Sequence, residues 1–217
     1  IMWVSSKGGK LNFIDDSKGR VYPHFVKGKD RIYLFHNSDG LVSIKWDGTD
    51  QKKILKVTGT TPYGAGDTKT PSGASIILIS PDGKTGLAKV VNNIYSFTIP
   101  YSGIESLKIS LSNPKFSSFP ARKLTEVGGE FPSWSNDSEL IYWSIGKSFL
   151  TYSISEADEF DRIKKEKEKE KSDEEKKKEE IAEQVAMVNP ELAGELSDEK
   201  DEEYKPEEID IKVTLKR

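Results

Sequence analysis

The sequence predicts an all-β fold: part of a β-propeller made of four-stranded antiparallel blades, with a charged α-helical insertion and a C-terminal strand. Three observations carry this. A phrase recurs at intervals of 54 and 55 residues, anchored on Phe25, Ile79 and Trp134. Each copy is followed by short β-branched or aromatic runs bounded by turn residues, the mark of antiparallel hairpins. A repeat of this length with several strands per unit matches a propeller blade. Such a scaffold binds; it does not by itself define a chemistry.

The first copy reads Tyr22-Pro23-His24-Phe25, then Arg31–Phe35. Asn37-Ser38-Asp39-Gly40 supplies a tight turn, and the strands Leu41–Trp46 and Lys53–Val57 follow. The second copy gives Ser75–Ile79, the turn Pro81-Asp82-Gly83, then Thr85–Val91, Ile94–Ile99 and Ala121–Thr125. Pro81 presets φ for the turn. The third gives Pro132–Ser135, Leu140–Ser144 and Phe149–Ile154, with Asp137 in the turn equivalent to that of Asp82 and Gly83. Phe25, Ile79 and Trp134 are expected to be buried at equivalent places, and Trp134, Trp143, Tyr33 and Tyr142 to pack between blades. Two long connections interrupt the pattern, Gly59–Pro71 and Tyr101–Ser118. Blades in this number do not close a ring, which needs four to eight.

Charge divides the 217-residue chain. Residues 1–155 carry 19 Lys and Arg against 13 Asp and Glu; residues 156–217 carry 14 against 23. The reading is blades over 1–155, a charged helical insertion or linker over 156–203, and a strand over 204–217. In Glu156–Glu180, 21 of 25 residues are charged. Like charges at i,i+4 before Ser172 weaken a helix there. Ser172 with Glu175 fits a capping box, so the helix is expected only after Ser172. The alternating run Glu208–Arg217 reads as a strand whose partners lie outside the sequence.

The basic residues of 1–155 are scattered rather than interleaved with aromatics, which argues against nucleic-acid binding. No run of 18 apolar residues offers a membrane span, and no signal peptide is visible at Ile1-Met2-Trp3, a start that suggests a fragment. There is no cysteine, which excludes disulfides and thiolate chemistry. The two histidines, His24 and His36, form no H-x-H or H-E-x-x-H and read as hydrogen-bonded strand or turn residues. No nucleophile elbow or phosphate loop occurs; Gly64-Ala65-Gly66-Asp67 is too short a glycine signal. Asp82 and Asp137 read as residues that bond their own turns, not as calcium ligands. No catalytic, cofactor or metal residue is assigned in this chain.

The stretch Gly129–Tyr142, with Phe131-Pro132-Ser133-Trp134-Ser135-Asn136-Asp137, resembles the repeat of TolB-like propellers, also called WD40-like or PD40. Ser80-Pro81-Asp82-Gly83-Lys84 matches that repeat's turn; in the third copy Asn136 and Ser138 stand in place of Pro81 and Gly83. The phrases Asp39–Asp50, Leu55–Gly59 and Pro120–Thr125 resemble the propeller that precedes the catalytic domain of bacterial metal-dependent amidohydrolases. The resemblance covers residues 1–155 and the last dozen; Glu156–Lys205 departs from it. It implies a periplasmic or secreted hydrolase in which this region scaffolds, gates or binds substrate without catalysing. Its partner would be a downstream hydrolase domain of the same polypeptide, reached through Ile209–Leu215, with a peptide or protein as a further ligand. Any metal would sit in that domain. A stand-alone interaction module of the cell envelope is the alternative.

Overall fold

The computed structural model describes residues 1–60, 71–100, 106–186 and 204–210, with backbone only for 171–186. The centre of the Gly59–Pro71 connection, the start of the Tyr101–Ser118 connection, the capping box at Ser172 and the end of the C-terminal strand lie outside the described side chains.

The strand order is local and repetitive. β1 (Met2–Trp3) pairs with β2 (Asn12–Phe13). The first meander is β3 (Val21–Phe25), β4 (Arg31–His36), β5 (Gly40–Lys45) and β6 (Lys52–Gly59), each antiparallel to the next. The second is β7 (Ser72–Ile79), β8 (Thr85–Val90), β9 (Asn93–Thr98) and, after β10 (Leu107–Ser110), β11 (Ala121–Lys123). The third is β12 (Glu130–Trp134), β13 (Leu140–Ile145), β14 (Ser148–Ser153) and β15 (Glu207–Asp210). Thr58 and Gly59 pair with Gly73 and Ser72, which joins the first two meanders.

Both faces of β4 and β5 are buried, which explains their continuous apolar runs. Tyr33, Phe35, Leu41, Leu55 and Val57 pack with Ile77, Ile79, Ala88, Val90 and Phe97 of the second meander. On the opposite face Ile32, Leu34, Val42 and Ile44 pack with Ile14 and Ile1. Alternation with period two thus serves two apolar neighbours. Each such side chain taken from water contributes on the order of 1.5–3 kcal/mol. The N-terminal segment is stitched down by the buried Arg20, which bonds Ser17 O, Gln51 Oε1 and Asp15 Oδ2, the last at 2.6 Å. Its guanidinium, beside Asp15, pulls that carboxyl down to about 2.

The third meander meets the second through Lys89, which is buried and gives Nζ to Glu130 Oε2 at 2.5 Å. Trp143 is fully buried and packs on Tyr152. Gly129 sits where a Cβ would press on Trp143 and Ile94, so the missing side chain is what admits the indole.

Three sequence expectations need correction. The Tyr101–Ser118 connection contains β10, parallel to β6, with Leu107 opposite Leu55 and Ile109 opposite Val57; its alternating apolar residues take a non-local partner. The C-terminal strand does not lack partners or lead away over its described part: Glu207–Asp210 lies antiparallel to β14, with Lys147 Nζ on Asp210 at 2.5 Å. The insertion therefore falls between the third and fourth strands of one sheet. The helix α1, finally, runs unbroken over Ile154–Ala186 through the charged stretch. Ser153 Oγ accepts the Glu156 N–H at 3.3 Å, a cap set well before Ser172, and Lys, Glu and Arg are good helix formers. Arg162 bonds Glu159 at 2.5 Å, and Tyr204 bonds Glu156 while its ring meets Phe160.

The chain divides into two compact units, Ile1–Tyr152 with Pro206–Arg217, and Ser153–Lys205. The first break lies three residues before the boundary read from charge, at the residue that caps the helix.

Gly86 on β8 faces Phe97 on β9, and the ring covers the place a Cβ would occupy. Phe97 is 1% exposed and has nowhere to go. Gly86→Ala should destabilise the chain by about 1–3 kcal/mol, while Gly73→Ala, with open space around it, should be neutral or better. Urea unfolding of the two variants checks this.

Candidate functional site

The first strands of the three meanders share one register. Phe25 pairs with Ile32, Ile79 with Gly86 and Trp134 with Ile141, each partner seven positions on. The three repeat anchors are thus the last residues of β3, β7 and β12. Their burial differs. Ile79 is buried, Trp134 is half-buried and Phe25 is 52% exposed. The expectation of common burial is corrected at Phe25, whose ring stacks on Trp46 at 5.3 Å and 5° near the surface. A shared backbone place does not impose a shared environment: Phe25 lies on Trp46, next to β5 of its own meander, whereas Ile79 joins the core shared by the first two meanders.

The ends of the three strands come together around a cleft of about 560 Å³. β3 contributes Tyr22 to Phe25 and continues with Val26 and Lys27; β7 contributes Leu78 and Ile79; β12 contributes Ser133 and Trp134. The walls are largely aromatic and aliphatic, and Lys27 is the one Lys, Arg, Asp or Glu among those residues. Its size lies within the range of ligand pockets. The Trp134 Nε1–H is buried against the wall with no acceptor among the described residues.

Each first strand carries a bulge just before its anchor, at Val21/His24, Ala74/Ile76 and Glu130/Ser133. In the first and third, an aromatic residue followed by proline takes a left-handed backbone: Tyr22 at φ 55° and Phe131 at φ 55°. Bulky residues rarely adopt this region. Both are exposed, Phe131 at 81%. The signal was present in sequence, as an aromatic-Pro pair three places before each of two anchors, but read only as part of the repeat phrase.

Asp82 and Asp137 occupy identical turns. Ser80 Oγ donates to Asp82 Oδ1 at 2.5 Å, the Lys84 N–H donates to the same oxygen, and the Thr85 N–H donates to Ser80 Oγ. In the third meander Ser135 Oγ and the Glu139 N–H bond Asp137, and the Leu140 N–H bonds Ser135 Oγ. Burial works against the Asp82 charge, but Ser80 and Lys84 outweigh it and hold the carboxyl below its ordinary value. The Ser135 hydroxyl, then the Glu139 amide, lower Asp137. Both carboxylates are consumed by their turns.

The turns also bond one another. The Lys27 N–H donates to Pro81 O at 2.7 Å, and the Asp82 N–H donates to Ser138 Oγ at 3.0 Å. Gly83, at φ +80°, packs where a Cβ would come within 2.9 Å of Val26. Ser138, the residue that departs from the repeat pattern, holds the same left-handed backbone at φ 73° and supplies the oxygen that links two meanders.

His24 bridges β3 and β7. Its Nδ1 lies 2.8 Å from Tyr22 O, and the Ile79 N–H donates to its Nε2 at 2.9 Å. Both nitrogens are thus engaged by backbone. His36 lies apart from these residues, with Nδ1 3.3 Å from Asp39 Oδ2. Among the described residues no three His, Asp or Glu side chains gather as a metal site would, and no helix is long and apolar enough to cross a membrane.

No family model and no curated protein matches the chain. Two solved structures similar to it are a protein from Lactobacillus plantarum (15% identity, TM-score 0.38, 70% of this chain and 43% of that one) and a candidate 6-phosphogluconolactonase from Bacteroides fragilis (18% identity, TM-score 0.39, 70% of this chain and 45% of that one). The chain spans less than half the length of either. At TM-scores below 0.5 the likeness is partial, and it assigns neither a fold family nor an activity.

The three anchor positions should respond differently to truncation. Ile79→Ala should cost about 2–5 kcal/mol, whereas Phe25→Ala should cost about 1 kcal/mol, the worth of an exposed aromatic stack. Denaturant titration of the two variants distinguishes this from equal burial.

Proposed function

We propose that the three meanders are consecutive blades of an incomplete TolB-like β-propeller and that the chain is a binding scaffold, non-catalytic by itself. The observation that carries this is the cleft. First strands of three sheets meet at one place through residues at one register, as inner strands do when sheets repeat about an axis. Its surface favours recognition over chemistry. Its aromatic and aliphatic walls suit an apolar peptide segment. The ring nitrogens of His24 are already bonded to backbone, so no free base faces the cleft from that side chain. The sequence phrases shared with amidohydrolase propellers support a role beside a hydrolase domain of the same protein, gating or presenting its substrate in a periplasmic or secreted setting. Any metal belongs to that domain.

Titration of the chain with short extended peptides bearing apolar side chains should change tryptophan emission saturably, and Trp134→Ala should remove the change. The chain should hydrolyse no amide or ester, with or without zinc. Turnover that appears with stoichiometric zinc would overturn the non-catalytic reading; peptides that leave the emission untouched would overturn the cleft as the binding surface.

A further inference from the structure

We propose that His24 is a proton-operated latch between the first two sheets, closed when its ring is neutral and released when the ring takes a second proton. The argument is geometric. A carbonyl accepts only, so Nδ1 must carry the hydrogen that meets Tyr22 O at 2.8 Å. A backbone amide donates only, so Nε2 must be the bare nitrogen that receives the Ile79 N–H at 2.9 Å. The bridge therefore exists in one tautomer of the neutral ring. A proton added to Nε2 would point at the Ile79 hydrogen, and the bond cannot form.

The latch sits where its release has consequences. Tyr22 O, one of its two partners, belongs to the left-handed residue of the β3 bulge. Ile79, the other, is the end of β7, and both residues line the cleft. The bridge thus pins a strained backbone to the neighbouring sheet across 55 positions of sequence.

The surroundings leave His24 as the group that titrates there in mild acid. On β4 its neighbour is the Tyr33 ring, 6.0 Å away, whose hydroxyl burial pushes upward; it stays neutral. β7 has no titratable side chain. Lys27 lies beyond the end of β3. Asp82 and Asp137, in the turns after β7 and β12, are held below the ordinary carboxylate value and stay charged. Burial lowers the His24 pKa from its ordinary 6.5, against the opposing Tyr22 bond. The folded state therefore holds this proton less tightly than the unfolded chain. The latch contributes its full stability above about pH 6.5 and loses it as pH falls from there through the folded-state pKa.

Amide exchange and ring NMR on the whole chain test this. At about pH 7.5 the ring should show the neutral Nδ1–H tautomer. As pH falls through the His24 titration followed by ring NMR, the protection factor of the Ile79 amide should drop about tenfold or more, one pH unit past the midpoint being a factor of ten. The drop should follow His24 titration, while amides of the β8–β9 ladder keep their protection. His24→Gln, whose amide can accept from Ile79 and donate to Tyr22 without titrating, should make Ile79 protection independent of pH. His36→Gln should leave the wild-type response intact. Constant Ile79 protection through the His24 titration would overturn the latch, and so would the same response persisting in His24→Gln. The wild-type readout stands even if the Gln variant folds poorly, and none of these readouts depends on a ligand.

Discussion

The hydrogen bonds passed from turn to turn are the constraint on which the arrangement of sheets depends. Lys27 gives its amide to Pro81, and Asp82 gives its amide to Ser138. Two of the turns are first made rigid by a serine hydroxyl and an aspartate that saturate the loop from within, and the turn at Lys27 closes with the Lys29 N–H on Val26 O. Only then does the turn present a fixed donor to its neighbour. Lys27 and Asp82 are exposed, so water can replace a lost acceptor and each link contributes about 0.5–1.5 kcal/mol toward this placement of the sheets. The apolar faces supply the larger free energy, but apolar packing is not directional. The amide links are directional, and they join the turns that follow β3, β7 and β12, whose ends line one cleft.

That convergence creates a hazard which the same strands resolve. β3 and β12 each end a sheet among the described strands, and such an unpaired edge invites pairing with another chain. Each first strand carries a bulge, and two carry a proline beside it. Proline withholds a donor and the bulge twists the edge away. The cost is visible in Tyr22 and Phe131, which hold left-handed backbones worth about 1–3 kcal/mol of strain each. Phe131 is 81% exposed and Tyr22 47%, so burial of these rings offsets little of that strain.

Much of the fold was legible because its signals are local. The common offset of Phe25, Ile79 and Trp134 reports a shared position in the hairpin. Asp82 and Asp137 report their turns because a carboxylate bonds amides two residues away. What was hidden depends on neighbours distant in sequence. The exposure of Phe25 follows from Trp46, β10 follows from β6, and the partner of β15 stands some sixty residues upstream on β14. The two roles of His24 lie on different strands, so no spacing rule could find them. The start of α1 was a missed local signal: Ser153 with Glu156 has the spacing of a cap, but the dense charge after it drew attention to Ser172.

The most direct measurement is exchange protection of the Asp82 amide in Ser138→Ala. That substitution removes the acceptor from another sheet and leaves the turn around Asp82 intact. Asp82 should lose protection while Lys84 and Thr85, bonded within their own turn, retain theirs. Equal protection of Asp82 with and without the Ser138 hydroxyl would mean that the turns do not hold one another, and that the sheets are placed by packing alone.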